Sequence, residues 1–163
     1  VCTALAENML MLCNGWDEEK ARAEVAEAVA SGKAFETMKK WIAAQGGNAA
    51  ALEDFSLLPQ ASVHYELKAP RSGYLAHMDA QKIGEASAIL GAGRQKKEDS
   101  IDYAAGIVLR KKTGDRVEAG ETLAELWTNQ EKSIADSEAE FLSALVWGEE
   151  APQHQPLVLG VIR

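Results

Sequence analysis

The residues closest to a reactive motif are Gly91-Ala92-Gly93-Arg94, inside a chain of 163 residues. Glycines beside a cation bind phosphate when they lead into a helix N-terminus, where free N–H groups and the positive dipole end face the anion. Here a helical pattern over residues 80–90, with Ile83, Ala86 and Leu90 in phase, precedes the glycines and stops at Gly91. They therefore stand at the negative end of a helix. The spacing predicts a C-cap that opens a polar loop running through Asp102. Arg94, Lys96 and Lys97 face Glu98, Asp99 and Asp102 along that loop. Such a run is either a solvated charged loop or a functional one, because long loops in small domains often carry function.

Other chemistry is thinly represented. His64, His77 and His154 are scattered, and with Cys2 and Cys13 they give no zinc-ligand spacing. No Gly-x-Ser-x-Gly elbow occurs, and no Cys or Ser has a recognisable His partner. The pairs Glu18/Glu19 and Glu149/Glu150 suit helix-end or surface roles, and Arg110-Lys111-Lys112 a solvated strand end. Trp16, Trp41, Trp127 and Trp147 are dispersed and read as core or interface anchors. The residues themselves thus predict no catalytic, cofactor or metal site.

Composition narrows the class. Hydrophobic residues make up 47% and charged residues 26%, a globular profile. The net charge of −8 argues against nucleic acid as a partner, since phosphate binding needs a basic face. No apolar run is long enough to span a bilayer, so a membrane partner is not expected. The N-terminus has no basic region of a secretion signal, and the two cysteines read as buried reduced thiols, which suits the cytoplasm. Val1 opens directly on a helical pattern, so the chain reads as a piece of something longer.

The elements that must position any site fall into two groups. Leu5, Met9, Leu12 and Cys13 form one helical stripe that ends at Asn14-Gly15. Asp17 caps a second helix over residues 18–30, with Ala21, Val25, Ala28 and Val29 on one face. Phe35, Met38, Trp41 and Ile42 mark a third, running into Gln45-Gly46-Gly47. Three such helices enclose little core alone and must pack on something else. After a connector from Asn48 to Gln60 the pattern becomes strand-like, which predicts a helical segment over residues 1–60 and an α+β domain over 61–163. Strands are expected at residues 63–69, 74–78, 106–109, 123–127 and 157–162, with a helix over 132–146. Gly114 and Gly120 bracket Arg116-Val117, which predicts two tight turns around a short strand whose Val enters a core. That arrangement is similar to the hammerhead hairpins of biotinyl and lipoyl domains, which are barrel-sandwich folds. None of the lysines, however, stands in a Met-Lys-Met or Asp-Lys-Ala setting.

Three stretches together resemble the C-terminal half of bacterial pyrimidine-nucleoside and thymidine phosphorylases. They are Ala43 to Asn48 after Ser31-Gly32-Lys33-Ala34, Lys68 to Tyr74, and Leu90 to Arg94 with residues 97–102 and 105–115. The resemblance covers nearly the whole chain and weakens after Asn129. It implies an α+β fold in which N-terminal helices are the remnant of a larger α/β domain and a hammerhead-like domain follows. The implied reaction is cleavage of thymidine or uridine by inorganic phosphate to the free base and pentose 1-phosphate. Phosphate is then a co-substrate, and no cofactor is expected in this segment.

In the family a Lys-His-Ser-Thr-Gly-Gly loop holds phosphate, and an Arg, a Ser and a Lys hold the base. All lie before the matched region, and none occurs here. The segment is therefore expected to be inactive alone and to support cleft closure. The closure loop implied by the resemblance is carried by Gly91, Gly93, Arg94, Asp99 and Asp102. Its implied partners are the rest of the phosphorylase chain, within a homodimeric parent. The competing readings are a biotinyl/lipoyl-like carrier or interaction module, and a scaffold that docks on a separate catalytic chain.

Overall fold

The computed structural model describes residues 1–94, 96–153 and 156–162. Among these residues the fold is α+β, with five α-helices and two small antiparallel sheets. The chain divides into two compact units, one formed by Val1–Leu57 with Gln155–Arg163, the other by Leu58–His154. None of the helices is long and apolar enough to cross a membrane.

The first unit holds helices α1 (Cys2–Asn14), α2 (Glu18–Ala30) and α3 (Lys33–Ala44). Local chemistry explains their ends. Gly15 adopts φ 65°, and its N–H bonds the Met11 carbonyl, a left-handed cap that stops α1. The Asp17 carboxylate accepts the Lys20 N–H at 2.8 Å and starts α2, whose first turn carries Glu18 and Glu19. The connector contains two short 3₁₀ turns, Ala49–Leu52 and Phe55–Leu57.

Burial in this unit departs from the helical stripes. Among its described residues only Ala21 and Ala51 are buried, while Met9 is 65%, Leu12 86% and Trp41 62% exposed. Cys2 and Cys13 are exposed rather than buried, because α1 buries no residue at all. Amphipathic spacing names the face that wants cover but does not supply the cover. The expected strand over residues 157–162 is also absent; its residues are irregular, and Leu157, Leu159 and Ile162 are exposed. An extended apolar segment becomes a strand only where a ladder partner takes its N–H and C=O groups.

The second unit begins with β1 (Val63–Lys68), β2 (Gly73–Met78) and α4 (Ala80–Ser87). It continues with β3 (Gly106–Leu109), β4 (Arg116–Val117), β5 (Thr122–Thr128), α5 (Ile134–Ser143) and β6 (Leu145–Gly148). One sheet has the order β1-β5-β3 and the other β4-β2-β6. The chain crosses between the sheets from β1 to β2 and again on either side of β4. Backbone bonds lock the crossings: Gly120 N–H to the Ala69 carbonyl, and Gly114 N–H to the Leu75 carbonyl, each 2.8 Å. Val117, on the two-residue strand between those glycines, is fully buried.

The expected helix over residues 132–146 ends earlier. After a short 3₁₀ turn, α5 stops at Ser143, and residues 145–148 pair with β2 as an edge strand. Leu145, Val146 and Trp147 suit either period, and the open edge of β2 decides for the strand. The core of this unit gathers Leu67, Leu75, Leu90, Val117, Leu126 and Phe141, with α4 and α5 packed on one another. Buried Ser137 donates to the Ala86 carbonyl at 2.8 Å and joins those two helices.

The outer face of the first sheet is polar. His64 stacks on Trp127 at 4.1 Å between ring centroids, the two being register partners on β1 and β5. Arg110 donates to Glu125 at 2.8 Å, Lys68 pairs with Glu66, and Lys111 pairs with Glu121. The Lys68 ammonium holds the Glu66 carboxyl below its ordinary value, the Lys111 ammonium does so for Glu121, and the Arg110 guanidinium for Glu125.

Packing and charge each make testable predictions. Phe141→Ala removes the largest buried side chain and is expected to cost about 3–5 kcal/mol in a urea titration. Leu12→Ala, on the exposed α1 stripe, is expected to stay within about 0.5 kcal/mol in the same measurement. For pH the three lowered carboxyls share one sign. Their contribution is present above the ordinary glutamate value of 4.5 and is lost as pH falls through the lowered values. Replacing Glu66, Glu121 and Glu125 together by Gln should flatten that acid-side loss of stability.

Candidate functional site

The glycine loop grows out of the end of α4. After Ser87 the chain widens into a π turn, Ala88–Ala92, which Gly91 breaks at φ 108°. The glycines therefore follow the end of α4, as the C-cap reading expects. A Cβ at Gly91 would lie 3.2 Å from Gln130 Nε2 and 3.4 Å from the Asp102 Cβ. Positive φ and close approach thus both demand glycine there. Gly93 is different. Its backbone is extended, at φ −140°, so conformation does not require glycine, but a Cβ would sit 3.1 Å from the Ala88 Cβ.

A small polar network holds the ends of the loop together. The Asp102 N–H donates to the Gly91 carbonyl at 2.9 Å, closing the loop at its neck. The buried Thr128 hydroxyl donates to the Leu90 carbonyl at 2.7 Å and accepts the Gln130 N–H at 2.9 Å. Asn129 Nδ2 donates to Asp102 Oδ2 at 2.9 Å, and Asn129 Oδ1 accepts the Ser62 N–H at 2.8 Å. The other oxygen of Asp102 accepts the Ala104 N–H at 2.9 Å. The end of β5 is therefore the anchor of the loop. Residue types alone do not point to Thr128-Asn129-Gln130; a polar run closing an apolar strand is the one local signal.

The loop charges do not pair as their order along the chain suggests. Asp99 accepts the Lys96 N–H at 2.8 Å, and Asp102 accepts the Ala104 N–H and the Asn129 amide. Arg94, Lys96 and Lys97 make no ion pair among the described residues, while Asp99 has further interactions of its own. Charged acceptors make stronger bonds to N–H groups than neutral ones do, which explains why the two aspartates shape the loop.

Two open depressions share Ala88 and Ile89 in their lining. One, of about 240 Å³, is lined by Gly91, Gly93, Asp99, Ser100 and Gln130 as well as these two. The other is bordered by Glu85, Arg94 and Glu140. The structure thus brings Gly91, Gly93 and Asp99 to one depression and Arg94 to the other, and sets Asp102 in the neck. Among the described residues no group of His, Cys, Asp and Glu could hold a metal ion; His154 lies outside them. Lys111 pairs with Glu121, and Lys82 donates to the Ser143 hydroxyl at 3.2 Å.

Comparison with known proteins adds an independent line. Residues 74–146, which include the whole loop and its anchor, match the family described as the pyrimidine nucleoside phosphorylase C-terminal domain. The chain is similar to the pyrimidine-nucleoside phosphorylase of Geobacillus stearothermophilus, with 42% identity over 133 residues, 81% of this chain and 31% of the relative. It is similar to the enzymes of the same name from Bacillus subtilis, at 43%, and Staphylococcus aureus USA300, at 45%. Each of those two alignments spans 128 residues, 78% of this chain and 30% of the relative. The chain therefore spans about a third of the length of the curated relatives it matches.

The anchor makes a direct prediction. Thr128→Val keeps the shape but strands the Leu90 carbonyl and the Gln130 N–H, and is expected to cost about 1–3 kcal/mol in chemical denaturation. Gly91→Ala is expected to cost a similar amount through its forced positive φ. Both should raise amide exchange at Asp102 before that of the sheet core.

Proposed function

We infer, for a chain that carries the pyrimidine nucleoside phosphorylase C-terminal domain, that it works as the C-terminal part of an enzyme cleaving pyrimidine nucleosides with inorganic phosphate. Phosphate oxygen attacks the anomeric carbon, the N-glycosidic bond breaks, and the base leaves with the bonding electrons and gains a proton. The products are the free base and a pentose 1-phosphate. The observation that carries this reading is the match over residues 74–146, supported by relatives at 42–45% identity.

The catalytic groups belong to the part of the relatives that lies outside the aligned region. This segment contributes the loop of Gly91, Gly93, Arg94, Asp99 and Asp102, which closes over the cleft of the parent enzyme. Geometry supports a division of labour within it. Gly91 and Asp102 are the joined ends, Asp99 shapes the turn, and Arg94 is the cation this reading assigns to an anionic substrate. The exposed stripes of α1 and α3 are cover sites for the rest of the phosphorylase chain. The parent is a homodimeric, cytoplasmic salvage enzyme that needs no cofactor besides its phosphate co-substrate.

A chimera tests the reading: this chain replaces the aligned C-terminal third of the Bacillus subtilis relative. Phosphate-dependent release of uracil or thymine is expected, and a folded chimera without it would overturn the assignment. Within an active chimera, Arg94→Ala is expected to lower turnover and raise the KM for phosphate about tenfold, the scale of one lost charge-assisted bond. Unchanged values of both would remove Arg94 from the closure machinery.

A further inference from the structure

The side chain of Asn129 touches two segments far apart in the chain. Its oxygen accepts the N–H of Ser62, 67 positions away, and its NH₂ donates to the carboxylate of Asp102, 27 positions away. The two partners fix the orientation of the amide. An N–H can be met only by the amide oxygen, and a carboxylate only by the NH₂. Ser62 directly precedes β1, just after the chain enters the second unit at Leu58. Asp102 closes the neck of the loop through the Gly91 carbonyl and orders the following turn through the N–H groups of Ala104 and Ala105.

We propose that Asn129 is a positioning residue that couples the entry segment before β1 to the base of the 91–102 loop. Displacement at Ser62 shifts the amide, and the amide carries the shift to Asp102. The buried Thr128 hydroxyl beside it, bonded to Leu90, keeps the backbone at this point in place. The side chain of Asn129 is therefore the moving part of the junction, and its backbone is the pivot. The functional meaning of this coupling rests on the loop-closure reading, but the coupling itself is a property of this chain alone and is measured without substrate.

The test is site-resolved amide exchange by NMR on the full 163-residue chain. Ser62→Pro removes the N–H donor and touches nothing in the loop. It is expected to speed exchange at the amides of Asp102, Ala104 and Ala105 by about three- to tenfold, the range of one hydrogen bond at an exposed site. The Asp79 amide, bonded to the Ala144 carbonyl between the ends of α4 and α5, should keep its protection. Unchanged loop amides, or a rise that includes Asp79 equally, would overturn the coupling. Asn129→Asp is the second variant, because it keeps an acceptor for Ser62 while turning the contact with Asp102 repulsive. Loop amides should then exchange faster while the Ser62 amide stays protected, and any other pattern counts against the proposal. Loss of phosphate affinity in the Arg94→Ala chimera reports on closure separately, so either idea can fail while the other stands.

Discussion

Much of the second unit is organised around the buried hydroxyl of Thr128. It sits at the end of β5, the central strand of its sheet, and donates to the carbonyl that the π turn leaves free at Leu90. A carbonyl in that position, without a partner and away from water, would cost more than the bond itself returns. One short polar side chain therefore lets an apolar core run right up to a polar loop. It also accepts the Gln130 N–H, so the strand end, the helix end and the turn into α5 meet at a single oxygen.

From that point the loop inherits its form. Gly91 takes the left-handed turn that a side chain would block, and Asp102 returns to the same place and closes the neck. Asp99 and Asp102 each accept a backbone N–H of the loop, which helps to set its turns. A loop built this way has its two ends tied to one another and to the end of β5.

The two units contrast in how they bury apolar surface. The second encloses a core of leucines, Val117 and Phe141 between two sheets and a helix pair. The first has good helices with good caps and almost no core. Helix propensity and capping are local and survive without a partner, whereas burial of a stripe needs a second surface. The alignment covers only 31% of the Geobacillus relative's length.

The sequence by itself determined the helices, the caps at Gly15 and Asp17, the alternation of β1, and the buried Val117 between two glycine turns. Each rests on residues within a few positions of one another, where spacing and dihedral freedom decide the outcome. It also carried enough family-specific residues, from Leu90 to Asp115, to indicate the phosphorylase C-terminal domain. Tertiary structure alone decided that residues 145–148 are a strand, since an open edge of β2 was there to receive them. It decided that the cysteines of α1 are exposed, and that the apolar tail has no ladder. The anchor of the loop was likewise out of reach of local patterns. Thr128 and Asn129 find their partners 27 to 67 residues away, and such pairs are chosen by how the chain packs rather than by any neighbour in sequence.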